Sequence, residues 1–138
     1  MTEHVALVVN STATRASERL VDGVRNALAS SGEVGVHRTE RHGHAAELAR
    51  AARDAGATIV VVIGGDGTVA DVAAVLAGSG TALLPVAAGS TNVFTRSLGW
   101  PHPGQDAVPL IARAMDAAER REVRLGRIST TQTDRTFL

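Results

Sequence analysis

The 138-residue sequence contains no cysteine, no tyrosine and no lysine. Without cysteine, disulfides, thiolate metal sites and cysteine nucleophiles are excluded together, which fits a reducing compartment. Without lysine, all 14 basic residues are arginines, so a lysine-based phosphate site is excluded. Aromatic residues make up only 2% of the chain against 44% hydrophobic residues overall. Alanine and valine must therefore fill the core, and close helix-on-sheet packing is expected rather than an aromatic-rich sandwich. There is no surplus of charge either: formal net charge is zero, and no nucleic-acid partner is expected. No segment approaches the roughly 20 apolar residues of a membrane span. The opening "MTEHVALVVN" lacks the basic stretch and long apolar run of a signal peptide. The chain reads as one soluble, cytoplasmic domain of ordinary size.

What is present alternates between strand and helix patterns. "HVALVV" (His4–Val9) reads as a first strand and Arg15–Ser31 as a helix ending at Gly32. "EVGVHRT" reads as a second strand, followed after Gly43 by an amphipathic helix carrying Ala45, Leu48, Ala49 and Ala52. "TIVVVI" (Thr58–Ile63) is apolar at nearly every position, as in a central parallel strand buried on both faces. A third helix is expected from Thr68 to about Ala77 and a fourth strand in "TALLPVAAG". After the proline-containing "GWPHPGQ", a fourth helix runs from Ala107 to Ala118. The alternation predicts an α/β fold, a three-layer α/β/α sandwich with a mostly parallel central sheet. The rhythm then breaks: "REVRLGRI" alternates like a half-exposed strand, "STTQTD" turns, and "RTFL" begins another strand. A chain that stops within a strand pattern is expected to be cut from something longer.

Between the third strand and third helix stands "GGDGT" (Gly64–Thr68), which admits three readings. The plainest is a tight turn with Thr68 capping the helix. The second is a dinucleotide fingerprint, since Gly65, Gly67 and Ala70 match G-x-G-x-x-A. That pattern wants an acidic residue about 20 positions on, where "LLPVAAGSTN" has none. The third gives Asp66 a purpose. Backbone N–H groups of Gly64, Gly65 and Gly67, with the helix start at Thr68, can hold phosphate oxygens. A carboxylate belongs beside them if a Mg²⁺ ion or its bound water intervenes, or if an acceptor hydroxyl must be oriented or deprotonated. Both conditions describe phosphoryl transfer from a metal–nucleotide.

"GGDGT" after a buried strand resembles the phosphate loop shared by diacylglycerol kinases, sphingosine and ceramide kinases, NAD kinases and phosphofructokinases. The flanking segments are similar to the diacylglycerol kinase catalytic-domain family in particular. "VVNSTATR" resembles its first-strand motif, Asn-Pro-x-Ser-Gly followed by a basic residue, and "RTERHGHAAELAR" its Thr-x-x-x-Gly-His-Ala segment. "GSTNVFTRSLGWP" resembles its Gly-Thr-Gly-Asn-Asp-Phe-Ala-Arg-x-Leu-Gly block. These matches keep the family's order over about residues 5–128.

The resemblance implies a phosphofructokinase/NAD kinase-like nucleotide-binding domain over residues 1–128, with 129–138 opening a truncated C-terminal β-sandwich domain. It implies ATP and Mg²⁺ as cofactors and a lipid alcohol, diacylglycerol or a relative, as acceptor at a membrane surface touched transiently. Asn10, Ser11, Thr12, Ala13 and Thr14 would form the first nucleotide loop, with Arg15 in the basic position. Thr39 would reach the nucleotide from the second strand. Gly64, Gly65, Asp66, Gly67, Thr68, Val69, Ala70 and Asp71 would wrap the phosphates, with Asp66 tied to metal-bound water and catalysis. Ser90, Thr91 and Asn92 would close the site from the fourth strand. No side chain is assigned as a direct metal ligand. The general base and lipid surface would lie in the missing C-terminal domain, so the 138-residue chain is expected to bind nucleotide weakly and not to phosphorylate lipid. A sheet edge left exposed by truncation offers a route to a homodimer. NAD kinase-like chemistry and a non-catalytic dinucleotide-binding module are the alternatives.

Several positions depart from the family pattern. Ser11 stands where the family has proline, which predicts a looser loop, and Val93 and Arg124 stand where aspartates are frequent. "Val-Ala-Asp" at 69–71 replaces Val-Asn-Glu, and Ala87 replaces a common proline. The histidines of "HRTERHGH" read as solvated surface, and "ERREVRLGR", with Glu119 and Glu122 among its arginines, as a solvated edge strand.

Overall fold

The computed structural model describes residues 3–100 and 107–138; the "PHPGQ" part of the proline-containing loop lies outside the described residues. Four strands, β1 (Val5–Val9), β2 (Val34–Arg38), β3 (Ile59–Gly64) and β4 (Ala82–Ala87), form one sheet in the order β2-β1-β3-β4. Every pairing is parallel, with Val9 opposite both Arg38 and Ile63, and Gly64 opposite Ala87. All residues of β1 and β3 are buried, which explains why their sequences carry no polar alternation.

Helices cover both faces of the sheet. On one face Leu7, Val9, Val61 and Ile63 meet Leu20, Val21, Val24 and Leu28 of α1 (Glu18–Leu28). Ala107 and Ile111 of α5 (Ala107–Ala117) complete that layer. Gly23 lets α1 and α5 approach, since a Cβ there would lie 3.1 Å from Val108. On the other face Ala6, Val8, Val60 and Val62 meet Ala45 and Ala49 of α2 (His44–Asp54) and Val69, Val72 and Leu76 of α3 (Asp66–Leu76). The expected three-layer sandwich is the fold observed, and its small side chains pack helix to sheet as the composition requires.

The start of α1 is fixed by Ser17, whose hydroxyl accepts from the Leu20 N–H at 3.2 Å; a 3₁₀ turn, Ala29–Ser31, follows the helix. α1 therefore begins three residues later than the apolar stripe suggested, because Arg15 and Ala16 belong to the loop after β1. α3 begins two residues earlier than expected: its N-cap is Gly65, so Thr68 lies in the first turn and caps nothing. In β4 the N–H groups of Ala82 and Ala88 point at β3. Pro85, in the opposite phase of the strand, therefore turns its nitrogen away from the ladder, as an edge strand allows.

The chain crosses from β1 to β2 by α1 on one face. It then returns past β1 to β3 by α2 on the other face, and continues to β4 by α3 on that same face. Opposite directions on opposite faces keep one hand of crossover. Between β1 and β3 the connections diverge, the switch point outside whose strand ends open α/β sheets bind ligands.

A short helix, α4 (Val93–Ser97), follows β4, with Asn92 in its cap position. The tail forms a two-stranded antiparallel hairpin, β5 (Gly126–Ser129) and β6 (Asp134–Phe137), with β6 lying against α3. Of the strand expected in "REVRLGRI", only the end forms; Arg121 to Arg124 are exposed and unpaired in any ladder, because β6 reaches only residues 126–129. Thr130 closes the expected turn by accepting from the Thr133 N–H at 2.9 Å.

Candidate nucleotide site at the strand ends

The loops leaving β1, β3 and β4, with Thr39 just after β2, meet at the carboxyl end of the sheet. Asn10 lies at their centre. Its Oδ1 accepts from the backbone N–H and the hydroxyl of Thr12, at 3.1 and 3.0 Å, folding the first loop back on itself. Its Nδ2 donates to the hydroxyl of Thr68 at 2.8 Å, joining that loop to the first turn of α3. The Ala13 N–H donates to the Asn10 carbonyl, and the Arg15 N–H to the Ala88 carbonyl at 2.9 Å, so the same loop also reaches β4. Thr14 and the Arg15 side chain are exposed.

Ser11 and Thr39 form a reciprocal pair. The Ser11 N–H donates to Thr39 Oγ1 at 3.1 Å, and the Ser11 hydroxyl donates to the Thr39 carbonyl at 2.9 Å. The expectation of a loosened loop at Ser11 is therefore corrected: serine supplies two bonds where proline has no N–H to give. Thr39 is buried, and its hydroxyl is turned to Ser11.

The "GGDGT" segment begins as extended backbone at Gly64 and Gly65 and enters α3 at Asp66. The Val69 N–H bonds the Gly65 carbonyl at 3.0 Å, and the Val69 side chain is in the core. The first-turn amides of Asp66, Gly67 and Thr68 have no acceptor within the helix, and no side chain caps them. With the amide of the N-cap Gly65 beside them, these are the donors that an anion could meet at the helix start. A Cβ added at Gly67 would touch nothing within 4 Å, so the backbone is open there. Ala70 and Asp71 are half-buried further along α3.

Asp66 is turned towards the segment after β4. Its Oδ2 accepts from the Thr91 hydroxyl at 2.8 Å and its Oδ1 from the Phe94 N–H at 3.3 Å. Partial burial raises its pKa, but the Thr91 hydroxyl and the amides of Val93, Phe94 and Asn92 outweigh that and hold the carboxyl below its ordinary value. Asp66 is thus an ionised acceptor and a poor proton acceptor. The carboxylate in the middle of the glycine loop thus has neighbouring amides of its own.

Asn92 precedes α4 in a left-handed conformation, φ 51°, and is buried. Its side chain accepts from the Gly89 N–H at 2.9 Å and donates to the Gly89 carbonyl at 2.7 Å. Gly89 itself presses on the "GGDGT" segment: a Cβ there would lie 2.6 Å from Gly65 Cα. Gly89 and the Phe94 amide were missed as site elements, although Gly89 opens the "GSTNVF" block that drew attention. Ser90 and Thr91 are exposed at the rim, as is Val93. The structure thus brings together Asn10, Ser11, Thr39, Gly65–Thr68, Thr91 and Asn92, and leaves Val69 facing the core. Among the described residues no three His, Asp or Glu side chains gather as a metal site.

A family model of the diacylglycerol kinase catalytic domain matches residues 4–128, and the chain belongs to that family. Among solved structures, a diacylglycerol kinase from Bacillus anthracis str. Sterne shares 27% identity at a TM-score of 0.71, over 80% of this chain and 40% of that one. A crystal structure of a candidate diacylglycerol kinase from the same strain shares 24% identity at the same TM-score of 0.71, over 83% of this chain and 42% of that one, a likeness of fold. The chain thus spans about 40% of the length of these solved relatives. No curated protein matches the chain. No described helix is long and apolar enough to cross a membrane.

Proposed function

We propose that this chain is the ATP-binding part of a lipid kinase, which transfers the γ-phosphoryl group of Mg-ATP to a lipid hydroxyl when joined to a C-terminal domain. The observation that carries the reading is the first turn of α3. Three uncapped amides, at Asp66, Gly67 and Thr68, lie at the switch point of the sheet, and Gly67 presents no side chain to block approach. The residues present fit a nucleotide phosphate: backbone donors and a helix N-terminus favour anions. Bound there, Mg-ATP would supply the phosphoryl group and the cation that neutralises its charge. The chain's own part is to bind and orient. Asn10 fixes Thr68 and hence the helix start. Arg15 adds an exposed guanidinium beside the same loops, suited to a phosphate fork. Asp66, ionised and held by Thr91 and Phe94, would orient a metal-bound water rather than take a proton.

The general base and the lipid surface are assigned to the C-terminal domain, which accords with relatives about twice as long. The 138-residue chain alone should bind nucleotide weakly and leave lipid unphosphorylated. The test is an amide NMR titration with Mg-ATP, with ATP plus chelator, and with NAD. Shifts at Asp66, Gly67 and Thr68 with Mg-ATP, diminished by chelator, are expected. Movement of those amides by NAD and not by Mg-ATP would return the dinucleotide reading. Robust phosphorylation of diacylglycerol by the purified chain would overturn the division of labour.

A further inference from the structure

We propose that Thr91 is a positioning residue: by holding the Asp66 carboxylate against the first turn of α4, it keeps the Gly89–Asn92 segment as a preformed wall of the nucleotide site. The inference rests on the nucleotide reading above. α4 has no cap of its own. Asn92 occupies the cap position, but its side chain bonds back to Gly89, and its backbone is in the left-handed conformation that asparagine adopts more readily than other residues with a Cβ. The acceptor for the α4 amide of Phe94 comes instead from α3, 28 residues away, as Asp66 Oδ1. The other oxygen, Oδ2, is fixed by the Thr91 hydroxyl. One carboxylate therefore bridges the turn after β3 and the turn after β4.

The contact of Gly65 with Gly89 brings the same two turns together from the backbone side. Two ties of different kind make one rigid wall from two loops. A wall ordered before the ligand arrives spares binding the cost of ordering it. The neighbouring position suits this arrangement. Val93 is 65% exposed and uncharged, so no second carboxylate competes with Asp66 for the Thr91 hydroxyl. Thr91 is itself exposed, so exchanging its hydroxyl for a methyl group perturbs the latch without opening the core.

The experiment compares the wild-type 138-residue chain with Thr91→Val and Thr91→Ser. Three quantities are measured: hydrogen exchange of the Phe94 amide without nucleotide, the Kd for Mg-ATP, and the Tm. Thr91→Val should speed exchange at Phe94 and weaken Mg-ATP about two- to ten-fold, the range of one net hydrogen bond, with Tm lowered by no more than the few degrees that one such bond supports. Thr91→Ser should restore both. Unchanged exchange in Thr91→Val overturns the proposal, as does an affinity loss that serine fails to restore or that accompanies faster exchange throughout the core. Absence of Mg-ATP binding by wild-type protein overturns the nucleotide reading instead, and the exchange comparison then decides the latch alone.

Discussion

The side-chain amide of Asn10 donates to the hydroxyl of Thr68 at 2.8 Å across 58 residues of sequence. It joins the loop after β1 to the first turn of α3, and so spans the place where the sheet's connections diverge. Asn10 Oδ1 is committed to Thr12, so the residue organises its own loop and the next one together. Removing either partner should be felt by both. Thr68→Val should destabilise the fold by about 1 kcal/mol, the usual net value of a hydrogen bond, and Asn10→Ala, which also loses both bonds to Thr12, by more. In urea unfolding the double variant should lose less than the sum, with a coupling of about 0.5 kcal/mol or more. Strict additivity would mean that the bond contributes nothing.

Two glycines of the site should respond in opposite directions. Gly67 is inside α3 with open space where a Cβ would go, so Gly67→Ala should raise stability by about 0.5–1 kcal/mol. The same methyl group would project from the backbone that the phosphates approach, and Mg-ATP binding should weaken. Gly89→Ala meets the Cα of Gly65 at 2.6 Å and should cost about 1–3 kcal/mol. Thermal melts paired with the NMR titration separate the two. A Gly67→Ala protein that is more stable and binds Mg-ATP undiminished would remove the α3 turn from the site.

Much of this was legible in the sequence because it is local. β3 is apolar at every position since both faces are covered, and "GGDGT" announces a strand–turn–helix with backbone to spare. What was not legible depends on partners distant in sequence. Thr68 looks like a cap by residue type, yet Gly65 precedes it at the helix start and Thr68 answers Asn10 instead. α4 is only five residues long, and the acceptor at its start is a carboxylate from another element, so no local pattern marks it. The strand pattern of "REVRLGRI" is real alternation, but a strand forms only where a neighbour pairs with it, and β6 is four residues long.

Acid should release α4 from α3. The folded-state pKa of Asp66 lies below its ordinary value of 3.8, so its contribution is fully present above that value. That contribution is lost as pH falls through the lower folded-state pKa. The Phe94 amide shift should therefore titrate on the acid side of the ordinary carboxylate range, and Asp66→Asn should abolish that titration. A midpoint at or above 3.8 would contradict the hydrogen bonds assigned to the carboxylate.

Ser11 offers a test in which resemblance and structure disagree. The related family carries proline at this position, and substitution towards a family's common residue often stabilises a protein. Proline also stiffens the unfolded chain, which ordinarily adds about 0.4–1 kcal/mol when the native backbone accepts it. Here the Ser11 N–H donates to Thr39 Oγ1, and the Ser11 hydroxyl donates to the Thr39 carbonyl. Ser11→Pro removes both donors at once and leaves two acceptors of a buried residue without them. The loss, about 1 kcal/mol for each bond, exceeds the gain from chain stiffness, so Ser11→Pro should lower stability by about 1 kcal/mol or more. Ser11→Ala, which keeps the N–H and loses only the hydroxyl, should cost about 1 kcal/mol, at the lower end of that loss. Equilibrium unfolding of the three proteins orders them: wild type, then alanine, then proline. If proline ranked first, the Ser11–Thr39 pair would not be holding the loop after β1, and the family residue would be the better one here as well.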